Sequence, residues 1–310
     1  RAAWLSKADL LTDMVGEFPE LQGTMGRYYA IHDGEPRAVA DAIGDQYRLK
    51  PDGSDPANLA SASLYLGDRL DQLTGLFGIG ERPTGEKDPY ALRRAALGVI
   101  NVFERLGAAL RLTGGAGTDI KELLEYAAGL YPMGTLAPDT VAAVHGFVLD
   151  RYWNQLAAVF AKDSVEAVLC QRPPLMDVVR RVEAVEAFRR LPEAESLAAA
   201  NKRVANILKQ AAAKGESFTS AESAKLKEPA ERELYSALAI TASNAKGLYE
   251  RGDFTGFLQT FAALKGPVDA FFDTVMVMAE DRELRQNRLA LLAELRNEMN
   301  RVADLSKLAA

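Results

Sequence analysis

Apolar residues recur along this chain at steps of three and four, and strict two-residue alternation is nearly absent. That spacing predicts amphipathic helices almost everywhere and an all-α fold. Asp139, after Pro138, is placed to cap a helix carrying Val141, Val144, Val148 and Leu149 on one side. Asp163 is placed to cap a short one through Val165, Val168 and Leu169. Leu175 to Leu191 reads as a further helix, with Val178, Val182, Val185 and Phe188 inside. Pro192 then opens a helix at its first turn, where a missing N–H costs nothing. Its apolar face is Leu197, Ala200, Val204, Ile207, Leu208 and Ala211. Turning by about 100° per residue puts Lys202, Asn206 and Lys209 on the opposite face. Glu228-Pro229 starts a long helix reaching Gly252, and Pro267 to Met278 is strongly apolar. Asp281 opens the last helix, with Leu284, Leu291, Leu295, Met299 and Val302 along one side.

Glycine and proline clusters at Gly114-Gly115-Ala116-Gly117 and Tyr131-Pro132-Met133-Gly134 interrupt the helical pattern. They divide the chain into an N-terminal helical domain (1–113), a linker region (114–137) and a C-terminal helical domain (138–310, core bundle about 192–305). There is no internal repeat and no low-complexity tract.

Composition narrows the chemistry. With 310 residues, nearly half of them apolar, the chain can build two or three domains with a sizeable core. No apolar run approaches the ~18 residues of a membrane span. The start, Arg1-Ala2-Ala3-Trp4, lacks the architecture of a signal peptide. One cysteine, Cys170, allows neither an internal disulfide nor a multi-cysteine zinc site, so a reducing, cytoplasmic setting is expected. Beside Val168 and Leu169 it is expected to be a buried, inert thiol. A net charge of -6 argues mildly against nucleic acid, although local patches escape a net count. Only His32 and His145 are available, too few for a histidine-rich metal site or a Ser/His/Asp arrangement.

Several motifs carry two readings. His32-Asp33 is the kind of pair that metal-dependent phosphohydrolases use as ligands, and Asp68 is a candidate late aspartate. A partner histidine is lacking, and Gly34, Glu35 and Pro36 follow the pair, so a loop or helix end is expected without a catalytic metal. Gly75-Leu76-Phe77-Gly78-Ile79-Gly80 has no preceding strand and no Gly-Lys-Ser/Thr after it, and reads as a turn between packed helices. Asp88-Pro89 is a helix start, followed by Arg93-Arg94, which suits either phosphate or the acids of a neighbouring helix, the latter preferred. Arg288 falls inside an apolar stripe, so a carboxylate should meet it, and Asp269 or Asp273 is the expected partner.

Leu5-Ser6-Lys7-Ala8-Asp9-Leu10-Leu11-Thr12-Asp13-Met14-Val15 and Glu17-Phe18-Pro19-Glu20-Leu21-Gln22-Gly23 resemble the bacterial glycyl-tRNA synthetase β-subunit family. So do Phe77-Gly78-Ile79-Gly80, Pro83-Thr84-Gly85, and the stretch from Asp88 to Arg94. Further on come Ala200 to Leu208, Val268 to Asp273, Val275 to Met278 and Arg285 to Leu289. Order and spacing fit over essentially the whole chain. The resemblance implies the later portion of a longer β subunit, with a helical HD-like domain of the His-Asp phosphohydrolase fold at 1–113. A linker region and a helical-bundle anticodon-binding domain, of the kind shared with arginyl-tRNA synthetase, would follow. It implies tRNA(Gly) and a separate α subunit as partners, in a two-α, two-β assembly. Glycine activation with ATP and Mg would belong to that α subunit, leaving no cofactor and no complete active site in this chain.

Under that resemblance, Lys202, Arg203, Asn206 and Lys209 become candidate tRNA-binding residues. Lysine and arginine hold phosphates, and asparagine reads a base edge. Without the resemblance, the residues read first as a solvated helix face. The competing function is an HD-type metal-dependent nucleotide phosphohydrolase, and a third is a helical scaffold that only joins subunits.

Overall fold

A computed structural model describes residues 1–47, 59–112, 119–217 and 219–309. Among them every regular element is helical, and the lone β-bridge joins Thr84 to Lys87. The Gly114–Gly117 cluster lies outside the described residues. The chain forms two compact units, Arg1–Gln155 with Pro174–Met176, and Leu156–Pro173 with Asp177–Ala310. The expected division at 114–137 is therefore not where the contacts part. Residues 119–137 belong to the first unit, and the amide of Ala137 donates to the Gly78 carbonyl at 2.9 Å.

The first unit contains α1 (Ala2–Leu5), α2 (Asp13–Glu17), α3 (Thr24–His32), α4 (Arg37–Asp45) and α5 (Leu59–Gly78). It continues through α6 (Leu92–Leu112), α7 (Ile120–Gly129) and α8 (Thr140–Leu156), whose last residue falls to the second unit. Helix α4 packs against both α3 and α5, and α5 against α6 and α7. Leu70, Leu73 and Phe77 are buried on α5, and Leu92, Ala96, Val99, Ile100 and Phe103 on α6. The start of α3 is organised by Asp9, whose buried carboxylate accepts from the amides of Gly23 (2.6 Å) and Gly26 (3.1 Å). Two amides that would otherwise be orphaned at a helix start thereby gain a charged acceptor.

The second unit holds α9 (Lys162–Leu169), α10 (Val178–Arg189), α11 (Ala194–Ala213) and α12 (Pro229–Glu250). After these come α13 (Phe254–Phe261), α14 (Lys265–Thr274), α15 (Arg282–Met299) and a 3-10 turn, Leu305–Leu308. The expected starts at Glu228-Pro229 and Asp281 are present. Glu228 and Glu231 make a reciprocal capping box, and Asp281 accepts from the amides of Glu283 and Leu284. Two details differ. The Leu175–Leu191 segment splits into a 3-10 turn, Leu175–Asp177, and α10. Helix α11 begins at Ala194 rather than at Pro192, because the amide of Ala194 first closes a turn onto the Leu191 carbonyl.

Helix α10 is central and is buried at Val178, Arg181, Val182, Ala184, Val185 and Phe188. Arg181 satisfies its charge by donating to the carbonyls of Arg301 (2.9 Å) and Val302 (3.1 Å) and to the Tyr249 hydroxyl (3.1 Å). Its guanidinium also lies 4.8 Å from the Phe254 ring centre. Arg288 is buried as its place in the stripe requires, but its partner is neither Asp269 nor Asp273. It pairs with the fully buried Glu231 and donates to the Met276 carbonyl at 2.7 Å. Asp269 is instead held by Lys265 (2.6 Å) and Ser196 (2.9 Å). The Lys265 ammonium draws its carboxyl below the usual carboxylate range.

Candidate nucleic-acid interface

Helix α11 divides by burial as its periodicity demands. Leu197, Val204 and Ala211 are buried, while Lys202, Arg203, Asn206 and Lys209 are exposed. The four candidate residues thus share one outward side. A polar residue that the apolar pattern does not reveal also turns inward. Asn201 is buried and exchanges side-chain amide bonds with Asn300, at 3.0 and 3.1 Å. Asn300 Oδ1 further accepts from the Leu305 amide at 3.0 Å. This double contact seats the Leu305–Leu308 turn against α11.

Between that turn and α11 lies an open cavity of about 670 Å³. Lys202, Arg203, Asn206 and Gln210 line one side, and Leu308 and Ala309 the other. Arg189 and Glu195 complete its charged lining. Lys209 is not among the lining residues, so the cavity gathers three of the four candidates and leaves the fourth outside it. Lys202 Nζ reaches the Ala309 carbonyl at 3.3 Å. The Arg203 guanidinium sits over the Phe272 ring, 4.2 Å from its centre. Arg189 is tied to Asp163 (2.5 Å) and Ser164 (3.0 Å). The arrangement is rich in donors: two guanidinium groups, an ammonium and two side-chain amides face one carboxylate.

The other candidate sites are not assembled in this way. His32 and Asp33 lie exposed at the end of α3, with 3.1 Å between Nδ1 and Oδ1. The Asp68 carboxylate is taken by Lys7 (2.8 Å) and Arg69. His145 is buried on α8. Among the described residues no three His, Cys, Asp or Glu side chains converge as a metal-binding group. The Gly75–Gly80 stretch is the last turn of α5 and its cap, rather than a connection between helices. Gly75 sits against the Tyr131 hydroxyl, which donates to Asp71 Oδ1 at 2.8 Å. Burial, then that carboxylate, pushes the phenol up to about 12.

Asp88 does cap α6, accepting from the amides of Leu92 (2.8 Å) and Arg93 (3.0 Å). The helix starts at Leu92, past Pro89, because Ala91 adopts a left-handed φ of 56°. Arg93 donates to the Gly85 carbonyl (2.5 Å) rather than to an acid, and Arg94 is exposed. Cys170 is exposed, not buried as expected, because α9 ends at Leu169 and releases it. Partial burial, then Asp304, nevertheless pushes its thiol up to about 11.

Residues 1–170 match the family model described as glycyl-tRNA synthetase beta subunit. The chain belongs to that family. Residues 197–307 match a second model, the DALR anticodon binding domain, which takes in all of α12 to α15 and all but the first turn of α11. The glycine–tRNA ligase beta subunit of Janthinobacterium sp. (strain Marseille) is 50% identical over 312 residues, covering 100% of this chain and 43% of that protein. Those of Polaromonas naphthalenivorans and Ralstonia nicotianae are 48% and 50% identical, again over the whole chain and 42% and 43% of their own lengths. This β-subunit chain thus spans less than half the length of these curated relatives. Among its described residues no helix is long and apolar enough to cross a membrane.

Proposed function

We propose that this chain is the tRNA-handling portion of a glycine–tRNA ligase β subunit, and that the outward side of α11 contacts the anticodon arm of tRNA(Gly). The observation that carries the proposal is positional. The stretch matching the anticodon-binding model contains the helix on which Lys202, Arg203, Asn206 and Lys209 stand exposed together. The lysines would hold phosphates, and Asn206 would meet a base edge. ATP-dependent glycylation, with its Mg, would take place on a separate α subunit in a two-α, two-β assembly in the cytoplasm. This chain would contribute orientation, which lowers the entropic part of the barrier for chemistry performed elsewhere. The phosphohydrolase alternative is disfavoured. Its would-be late aspartate, Asp68, is already neutralised by Lys7 and Arg69.

The test is a titration of the chain with tRNA(Gly) and with an anticodon-altered tRNA over a range of salt. Lys202→Ala and Lys209→Ala should weaken both tRNAs alike, each lowering the salt slope by about 0.7–0.9 if one phosphate contact is lost. Asn206→Ala should narrow the gap between the two tRNAs by about 1–3 kcal/mol, the size of a good base contact. If the double Lys202/Lys209 alanine variant keeps the affinity and slope of the parent, and Asn206→Ala keeps the gap, the anticodon arm does not use this face.

A further inference from the structure

The cavity beside α11 has a construction that phosphate contacts alone do not require. Lys209, which would hold a phosphate, lies outside the cavity. The cavity is a recess between α11 and the Leu305–Leu308 turn. Asn206 and Gln210 stand four residues apart on α11, one above the other on the same side. The Arg203 guanidinium lies over the Phe272 ring, 4.2 Å from its centre. The opposite wall, Leu308 and Ala309, is fixed from beneath by the Asn201–Asn300 pair and by the bond from Lys202 to the Ala309 carbonyl.

Resting on the tRNA-contact reading above, we propose that this recess receives one unstacked nucleobase from the bound loop. The base stacks on the Arg203 guanidinium, on the side away from Phe272. Its polar edge is read by the side-chain amides of Asn206 and Gln210. Four features point to this occupant. The volume of about 670 Å³ is that of a small-molecule site, larger than one base needs and open enough to admit its sugar. Single-stranded loops are recognised by splaying bases onto aromatic rings or arginine planes and bonding their edges. Side-chain amides both donate and accept, as an edge reader must. The apolar wall of Leu308 and Ala309 suits the second face or rim of a base and offers nothing to a phosphate. As an edge reader, Gln210 is assigned a specificity-determining role.

The probe is an RNA hairpin with the anticodon arm of tRNA(Gly), and a series in which each loop base in turn is removed to leave an abasic site. The 310-residue chain should lose about tenfold in affinity at one abasic position and much less at the others, a loss within the range of one good base contact. Gln210→Ala and Asn206→Ala, both at exposed positions, should weaken the intact hairpin and flatten the profile at that position. Arg203→Lys keeps the charge and loses the plane, so it should flatten the profile and leave the salt slope unchanged. Lys209→Ala should weaken every hairpin equally and keep the profile. A flat profile in the parent, with the hairpin still bound more tightly than a loopless duplex, overturns the recess and leaves the tRNA reading standing. A sharp profile that survives Gln210→Ala, Asn206→Ala and Arg203→Lys also overturns it, since the base is then seated elsewhere. Equal binding of hairpin and loopless duplex overturns both.

Discussion

Arg288 shows what a single residue owes to distant chain. Its guanidinium and the Glu231 carboxylate are both buried, and Glu231 also accepts from the amides of Lys227 (2.6 Å) and Glu228 (3.0 Å). Removing either partner leaves an uncompensated buried charge, which costs about 3–5 kcal/mol. Glu231→Ala should lie at the upper end of that range in urea unfolding, because two backbone amides lose their acceptor as well. Arg288→Met should lie at the lower end, since those amides keep the carboxylate. Asp269→Asn should cost about 1 kcal/mol or less, because its lysine partner is half-exposed and solvent-screened. Equal losses for all three variants would contradict the assignment. Burial of Arg288 is legible in sequence, since a charge inside a three-four apolar stripe has nowhere else to go. Its partner is not, because Glu231 is 57 residues away and reads locally as an ordinary capping residue. Cys170 is the opposite case, where apolar neighbours predict burial and the helix end exposes the thiol. With its thiol pushed up to about 11, little thiolate exists at neutral pH. A thiol-specific disulfide reagent at pH 7 should label native Cys170 markedly more slowly than the same cysteine in the urea-unfolded chain. Equal rates would show that its surroundings do not protect it.

At the scale of elements, helices are legible because their signals are local. The caps at Asp281 and Glu228 and the stripe of α11 need only a few neighbouring residues. What escapes local reading is where an element meets something remote. Asp9 reaches across to start α3, and Asn201 is a polar residue that the apolar face of α11 admits only because Asn300 answers it. The candidate face was legible as a set of exposed residues. The recess was not, since its second wall comes from Leu308 and Ala309, about a hundred residues further on. The end of α5 supplies a prediction of its own. Tyr131 folds with its phenol pushed up to about 12, against about 10 in an unfolded chain. Between those values the folded state holds the proton and the unfolded state has lost it, so this contribution is full below pH 10 and fades as pH rises toward 12. Replacing the tyrosine with Tyr131→Phe should remove that part of the alkaline decline in stability. Denaturant midpoints compared at neutral pH and near pH 11 would show it, and an unchanged pH dependence would remove Tyr131 from the account.

For the molecule as a whole, a net charge of -6 is compatible with the proposed tRNA contact, provided the basic groups gather locally. Phosphate attraction acts within about a Debye length, near 8 Å at physiological salt, so a bound loop would feel Lys202, Arg203 and Lys209 before acids elsewhere on the chain. Overall charge is therefore a weak guide to partners for a chain of this size. The division into units was legible only as a number. Glycine and proline mark where helices stop, whereas a boundary between units is set by which helices pack, and that information is distributed over the chain. The closure of the second unit has a consequence for synthesis. Gln171 bonds the Asn300 carbonyl across 129 residues, and Arg181 bonds the Val302 carbonyl across 121. Until residues 300 to 302 have been made, Arg181 keeps Tyr249 and Phe254 but lacks its two carbonyl acceptors, and Asn201 lacks its amide partner Asn300. The contacts that close α10 and α11 onto the end of α15 and the turn behind it therefore form last in chain order. Apolar faces exposed during such an interval are the general source of aggregation in chains of this size.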